Sequence, residues 1–177
     1  MRPVRRWLTL AAGIVALGAL SAGAAFERAG PASGEWQEIA WPFPRDGWPA
    51  GKAFRGGDIE VYVRPKIGFC NCDVGVADDD EVDRVADLDL MSQRFAPLEP
   101  GKPVRVAEMA GRIRPYELAM SDGSRRTAIG IAVSHRCDLM VAVAKGSGDA
   151  TAIQRAALDF LGSVKMSNWM TAAMEGR

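Results

Sequence analysis

Alternating hydrophobic and polar residues mark several β-strands in the second half of this chain. The clearest run is 126–134, where Ile129, Ile131 and Val133 fall on one face and Ala128, Gly130 and Ala132 on the other. A period of two is typical of a strand with one face against a core. Similar patterns predict strands near 58–64, 103–109, 112–120, 126–134 and 139–144.

The connections between the last four predicted strands are short, and Ser121-Asp122-Gly123-Ser124 is a typical turn sequence. Short connections indicate antiparallel pairing. Pro115 interrupts the strand 112–120 and predicts an edge strand or a bulge there. We expect the small side of 126–134 to be the floor on which Phe160 and Leu161 pack.

Two segments have helical character. Consecutive aspartates from Asp78 to Asp80 precede a predicted helix that runs to about Leu90, since negative charge suits the start of a helix. A second helix is predicted from the N-cap residue Asp149 to about Leu161, followed by a short helix from Ser167. The sequence therefore predicts an α+β fold: an antiparallel sheet of about five strands with a C-terminal helix packed on one face.

Residues 26–57 are predicted to form an extended segment rich in proline, glycine and tryptophan, ahead of a single α+β domain at 58–177. Trp36, Trp41 and Trp48 belong to this segment. They could form an aromatic surface for a ligand, or they could fix the segment to the domain by burying their rings. We favour the second interpretation.

Residues 1–25 have the layout of a secretory signal peptide. Three arginines precede an apolar stretch at 7–20, and small residues follow, including Ala22-Gly23-Ala24. The apolar stretch is shorter than the roughly 20 residues of a transmembrane helix. We predict a cleaved signal and a periplasmic or secreted protein with no membrane span after cleavage. An uncleaved anchor through residues 7–20 is the alternative.

The net charge and the chain length limit which partners and how many domains we expect. The 177-residue chain has 22 basic and 22 acidic residues, and residues 1–25 contain three arginines and no acid, so the mature net charge is −3. This balance does not favour nucleic acid as a partner, which calls for a clustered basic surface. About 150 mature residues suffice for one domain with its own core.

The three cysteines and the single histidine lie in two clusters, Cys70-Asn71-Cys72 and His135-Arg136-Cys137. Exported proteins meet oxidising conditions, which favour disulfides. We predict a bridge between Cys72 and Cys137, with Cys70 as the alternative partner of Cys137. The sequence does not decide the connectivity.

The same residues allow a second interpretation. Cys70, Cys72, His135 and Cys137 together form a ligand set that suits zinc or copper, and a strained Cys70–Cys72 pair would suit thiol–disulfide exchange. No catalytic motif is evident. We therefore predict a non-enzymatic binding or accessory protein without a cofactor, acting on an unknown protein or small molecule in the cell envelope. A thiol-based metal-binding or redox protein is the alternative.

Residues 73–89 carry eight acids and one base, Arg84. They lack the alternating spacing and central glycine of a calcium loop. We predict a solvated helix start. Five arginines are either partners of these carboxylates within the same chain or one side of an anion-binding face: Arg105, Arg112, Arg114, Arg125 and Arg126.

The run Lys66-Ile67-Gly68-Phe69-Cys70-Asn71-Cys72, continued by Gly75-Val76-Ala77-Asp78-Asp79, resembles a family of small exported bacterial proteins of unknown function. The resemblance covers about residues 41–95. It implies an exported single domain and no particular activity. Family members carry further cysteines after an Ala-Phe-Arg segment, whereas here Ala53-Phe54-Arg55 is followed by Gly56 and Gly57.

Overall fold

An antiparallel β-sheet with helices on both faces forms the part of the chain that the structure describes. The structure is a computed structural model, and it describes residues 35–44, 47, 49–68 and 74–175. Eight strands lie within these residues: β1 (Gln37–Ile39), β2 (Lys52–Gly56), β3 (Ile59–Lys66), β4 (Phe95–Pro97), β5 (Lys102–Val106), β6 (Met109–Ala119), β7 (Arg125–His135) and β8 (Asp138–Gly146).

The strands are ordered β1-β2-β3-β8-β7-β6-β4, and β5 also pairs with β6. Each of these pairings is antiparallel. The α+β class and the antiparallel sheet are thus confirmed, but the expected number of about five strands was wrong. The additional strands are β1, β2 and β4. Strands β1 and β4 have three residues each, which is too short for a periodic pattern to stand out, and β2 lies in the segment 26–57 that was predicted to be extended.

Four helices lie in the described residues: α1 (Asp79–Val85), α2 (Leu88–Met91), α3 (Ala150–Leu161) and α4 (Val164–Glu175). Aspartate caps begin two of them, because Asp78 accepts a hydrogen bond from the Glu81 amide and Asp149 from the Ala152 amide, both at 2.9 Å. The predicted start of α3 near Asp149 is confirmed. None of these helices is both long and apolar enough to cross a membrane.

The C-terminal helices α3 and α4 pack on one face of the sheet, called here the α3/α4 face. Their buried residues meet the large β7 side chains Ile129, Ile131 and Val133. The prediction that Phe160 and Leu161 lie on the small side of β7 was therefore wrong. Large apolar side chains bury more surface against a helix than alanine and glycine do, and the C-terminal helices take that face.

The other face, called the α1/α2 face, carries the small residues of β7. Helix α1 and the first residue of α2 cover it with Val82, Val85, Ala86 and Leu88. Gly130 makes room for Tyr116 of β6, because a Cβ atom at this position would lie 2.9 Å from Tyr116 Cε2. The small side of β7 is thus filled by a neighbouring tyrosine and by α1.

The helix predicted to end near Leu90 is divided in two. Asp87 separates α1 from α2 with a left-handed φ of 55°. Its carboxylate accepts hydrogen bonds from Arg64 Nε and Nη2 at 2.5 and 2.7 Å, and Lys66 Nζ lies 2.6 Å away. All three side chains are buried. We attribute the break to this contact, which draws the Asp87 carboxylate toward β3.

The prediction of an edge strand or a bulge at Pro115 was wrong, because Pro115 pairs with Ile129 within a continuous β6–β7 register. Strand β6 has β7 on one side, and β4 and β5 follow one another along its other side. The Leu98 amide donates to the Pro115 carbonyl at 2.9 Å, in the gap between β4 and β5. Within a strand the N and C=O of one residue point to the same side, so the missing N–H of proline faces this gap.

The described residues belong to one compact unit, Ser33–Arg177. Strands β1 and β2 come from the segment predicted at 26–57 and pair with the rest of the sheet through β3. The predicted signal peptide, residues 1–25, lies outside the described residues.

Candidate functional site

A half-open polar cleft lies at one end of the α1/α2 face and has a volume of about 220 Å³. It is lined by Asp58, Glu60, Met120, Arg126, Lys145 and Gly146. Strand register brings these distant residues together: Glu60 of β3 is paired with Lys145 of β8, and Gly146 with Thr127 of β7, next to Arg126. We refer to these six residues as the polar cleft.

Glu60 lies at the centre of a hydrogen-bonded network in the polar cleft. Its carboxylate accepts from Tyr62 Oη at 2.5 Å and Arg55 Nη2 at 2.6 Å, and it lies 3.2 Å from Lys145 Nζ. Burial acts to raise the pKa of Glu60, but the hydrogen bonds from Tyr62 and Arg55 and the charge of Lys145 outweigh it and lower the pKa to about 2. Glu60 is therefore ionised at neutral pH.

Tyr62 stays protonated in the same network. Burial raises the pKa of Tyr62 well above its usual value of 10.0. The hydrogen bond to Glu60 and the negative charge of Glu60 act in the same direction. The ammonium of Lys145 lies 5.2 Å from the centre of the Tyr62 ring, a cation–π distance. The network thus widens the pH range over which Glu60 is ionised and Tyr62 is protonated.

Asp58 and Arg126 occupy the more exposed positions of the polar cleft. The hydroxyl of Ser147 donates to Asp58 Oδ2, and this hydrogen bond is the largest cause that lowers the pKa of Asp58. Within the described part of the chain, the Arg126 side chain has no hydrogen bond or ion pair. Its charge does contribute to lowering the pKa of Asp122, whose carboxylate chiefly accepts hydrogen bonds from Ser124.

An aromatic cluster of Trp41, Phe43 and Tyr62 adjoins the network. Ring centroids are 5.5 Å apart for Trp41 and Phe43 and 5.2 Å for Phe43 and Tyr62, in edge-to-face geometry. On the opposite face of the sheet, Trp36 stacks on Phe160 at 4.3 Å. The favoured interpretation, that the tryptophans fix the N-terminal segment to the domain, is confirmed for Trp36 and Trp41. Trp48 lies outside the described residues.

The predicted cysteine and histidine clusters are described only in part. Cys70 and Cys72 lie outside the described residues. Cys137 is half-buried in the turn between β7 and β8, and His135 Nε2 lies 3.3 Å from Glu175 Oε1 at the end of α4. The described residues contain no group of three or more histidine, cysteine, aspartate or glutamate side chains that could hold a metal ion.

The residues that flank 69–73 in the sequence lie against the turn between β7 and β8. The Gly68 amide donates to Asp138 Oδ1 at 2.6 Å, next to Cys137. A Cβ atom on Gly75 would lie 2.6 Å from Ser134 Oγ, next to His135. Both flanks of the Cys70–Cys72 segment therefore contact the end of the β7–β8 hairpin.

The acidic stretch pairs with two of the five candidate arginines. Asp79 Oδ1 lies 2.6 Å from Arg112 Nη2, and Asp83 Oδ2 lies 2.8 Å from Arg114 Nη1. The Gly101 amide and Arg112 together lower the pKa of Asp79. Two other candidates pair elsewhere, Arg105 with Glu108 and Arg125 with Glu117. Asp79 and Asp83 therefore connect α1 to β6 through ion pairs within the fold.

Sequence reasoning did not identify the polar cleft. Its residues come from four separate parts of the chain, and none forms a recognisable motif. Glu60 and Lys145 occupy strand positions that alternate with core residues, which is the ordinary position of a solvated side chain. One signal was available: Glu60, Tyr62, Arg64 and Lys66 place four polar residues on one face of β3.

Comparison with known proteins shows two similar solved structures. No protein-family model matches the chain, and no curated protein matches it. The solution structure of cyanobacterial PsbP (CyanoP) from Synechocystis sp. PCC 6803 has a TM-score of 0.49 and 15% identity, over 70% of this chain and 76% of that one. The crystal structure of PA94, a protein of unknown function from Pseudomonas aeruginosa, has a TM-score of 0.42 and 12% identity, over 74% of this chain and 96% of that one.

Proposed function

We propose that this chain is an exported, non-enzymatic binding or accessory protein of the cell envelope, stabilised by one disulfide. The observation that carries the binding role is the polar cleft, a concave site of about 220 Å³ with charged groups directed toward one space. Polar groups that converge on a concave site can fix the orientation of a small ligand.

The fixed protonation states in the polar cleft support binding over acid–base catalysis. A general acid or base works best when its pKa lies near the operating pH. Glu60 has a pKa of about 2, and the pKa of Tyr62 is raised far above neutrality. Neither group is tuned to exchange a proton at neutral pH, whereas permanent charges are suited to orient a ligand.

Filling the polar cleft tests the binding role. The variant Met120→Trp places a large ring at the lining, and Leu98→Trp adds the same ring at a half-exposed position outside it. Small molecules of the cell envelope are screened by thermal shift against the full mature protein. We expect a ligand that stabilises the unmodified protein and Leu98→Trp but not Met120→Trp, and that is recovered chemically unchanged. Binding that survives Met120→Trp, or turnover of the ligand, contradicts the proposal.

The proposed export rests on the signal-like layout of residues 1–25. Fractionation of cells that express the full chain tests it, with intact-mass measurement of the product. A periplasmic or secreted protein that has lost about 25 residues supports a cleaved signal. Full-length protein in the membrane fraction supports the anchor through residues 7–20, and full-length protein in the cytosol contradicts export.

The proposed disulfide joins Cys72 to Cys137, with Cys70 as the alternative partner. It is supported by the two contacts that hold Gly68 and Gly75 against the hairpin end next to Cys137. Few residues separate these glycines from Cys70 and Cys72, and each residue spans at most about 3.6 Å. A bridge from either cysteine to Cys137 is compatible with these two contacts.

The alternative predicted from the sequence is a thiol-based zinc, copper or redox site formed by Cys70, Cys72, His135 and Cys137. Thiol titration, intact mass and bound metal measured on one sample distinguish the two. One cystine with one remaining thiol and no metal supports the disulfide. Three thiols with stoichiometric zinc or copper support the metal site. A Cys70–Cys72 bridge supports exchange chemistry.

A further inference from the structure

Charged groups of both signs line the polar cleft. Asp58, just before β3, and Glu60 of β3 contribute two carboxylates, and Arg126 of β7 and Lys145 of β8 contribute two cations. The four lining charges sum to zero. With both signs of charge in its lining, the polar cleft suits a ligand that carries both charges.

Only part of this charge is available to a ligand. Glu60 and Lys145 lie 3.2 Å apart, and Arg55 and Tyr62 complete the shell of Glu60. These groups neutralise one another and form the floor of the polar cleft. The more exposed pair, Asp58 and Arg126, is left to contact a bound molecule.

Arg126 is suited to bind a carboxylate. Within the described residues its guanidinium has no hydrogen bond or ion pair, and it presents donors in a planar fork that matches a carboxylate in bidentate geometry. The neighbouring residue Arg125 differs: its Nη1 is held 2.6 Å from Glu117 Oε1, and it does not line the cleft. Strand alternation separates the two arginines onto opposite faces of β7.

Asp58 is suited to bind an ammonium group. Ser147 donates to Oδ2 of its carboxylate, and an ionised carboxylate has about four lone-pair positions. Hydrogen bonding from Ser147 lowers the pKa of Asp58, which keeps it negative at neutral pH. Met120, the apolar side chain in the lining, offers a surface for an aliphatic group.

We propose that the polar cleft binds a zwitterion of amino-acid size, whose carboxylate pairs with Arg126, whose ammonium pairs with Asp58, and whose apolar side chain contacts Met120. A volume of about 220 Å³ lies below the usual range of pockets for drug-sized molecules. This inference rests on the proposed binding function and specifies its ligand class.

Charge-deleted analogues test the zwitterion directly. The probes are the standard apolar L-amino acids, with leucine compared to N-acetyl-leucine, which lacks the ammonium, and to leucinamide, which lacks the carboxylate. Binding to the full mature protein is measured by isothermal titration calorimetry. We expect saturable binding of at least one amino acid, and about tenfold or greater weakening for each of its two analogues.

Paired variants locate the contacts. Arg126→Ala is expected to weaken amino-acid binding about tenfold or more, whereas the neighbouring Arg125→Ala leaves it unchanged. Asp58→Asn is expected to weaken binding of the amino acid, because the neutral asparagine side chain lacks the negative charge that attracts an ammonium. Binding of the N-acetyl form, which has no ammonium, is expected to stay unchanged. Each variant is checked for an unchanged unfolding transition, so that lost binding is not lost folding.

Several results would contradict the proposal that the polar cleft binds a zwitterion. Binding that is equal for the amino acid and its N-acetyl form indicates a plain anion site, and equal effects of Arg126→Ala and Arg125→Ala indicate binding elsewhere. If no apolar amino acid binds, the zwitterion is wrong. A different small molecule whose binding is then blocked by Met120→Trp preserves the proposed binding function, whereas the absence of any such ligand refutes both.

Discussion

Gly130 of β7 lies against the ring of Tyr116 of β6, so that a Cβ atom at Gly130 would come within 2.9 Å of Tyr116 Cε2 and 3.2 Å of the Ala86 Cβ. Tyr116 is fully buried, and its hydroxyl donates to Asp83 of α1. The tyrosine therefore fills the space left by Gly130 and connects the sheet to α1. The close contact leaves no room for a larger residue.

Replacement of Gly130 by alanine is expected to destabilise the protein by about 1–3 kcal/mol, because the added methyl group overpacks a buried contact. The control is Gly148→Ala, since a Cβ there would have its nearest neighbours at 3.9 Å, an ordinary contact. Urea unfolding of both variants measures the difference. Equal free energies of unfolding would show that Tyr116 moves aside without cost.

This relationship also shows how far the sequence alone could predict the fold. The alternation along β7 indicates a strand with a large side and a small side, and the structure confirms both. It does not indicate which element covers each side, because the helices at both ends of the domain have apolar residues at suitable spacing. The pairing of Gly130 with a tyrosine depends on register across the β6–β7 ladder, which local periodicity does not encode.

The polar cleft could not be predicted from the sequence for a related reason. Glu60 and Lys145 each alternate with core residues and are ordinary solvent-facing positions when considered separately. They become a site only because β3 pairs with β8 in one particular register. Candidate arginine partners for the acidic stretch could be named from the sequence, but which of them pair depends on how α1 packs against β6.

The buried carboxylate of Asp87 is expected to be essential for stability. It forms ion pairs with both Arg64 and Lys66, which are only 4% and 6% exposed. Asp87→Ala leaves these two cations without their shared carboxylate, and removal of one partner from a buried ion pair costs about 3–5 kcal/mol. Thermal and urea unfolding measure the loss.

The matched control for Asp87 is Asp89→Ala, because Asp89 is exposed in the first turn of α2. We expect a change within about 0.5 kcal/mol for this variant. Similar stabilities for the two variants would contradict a stabilising role of the buried carboxylate.

The network around Glu60 predicts a specific loss of stability in acid. Its pKa is lowered from 4.5 to about 2, so between these values the folded state binds fewer protons than the unfolded state. Stability from Glu60 is complete above about pH 4.5 and is lost as the pH falls through about 2. We expect Glu60→Gln to show a smaller decrease of unfolding free energy than the unmodified protein over this range.

Glu108→Gln is the control for this pH experiment, because Glu108 is 97% exposed and lies 3.9 Å from Arg105. Its pH dependence should match that of the unmodified protein. Parallel curves for Glu60→Gln and the unmodified protein would mean that Glu60 is not held ionised by Tyr62, Arg55 and Lys145.

The connectivity of the proposed disulfide can be read from stability alone. A bridge between Cys72 and Cys137 closes a loop of about 65 residues, and removal of a native disulfide costs about 2–5 kcal/mol. We expect Cys137→Ser and Cys72→Ser to reduce the free energy of unfolding by equal amounts, with no further loss in the double variant, since both remove the same bond. Cys70→Ser should retain most of the stability.

The opposite pattern assigns the bridge to Cys70, and additive losses in every pair indicate that the three sulfurs act separately. Addition of a reductant distinguishes packing from bonding, because it should destabilise the unmodified protein and leave Cys137→Ser unchanged.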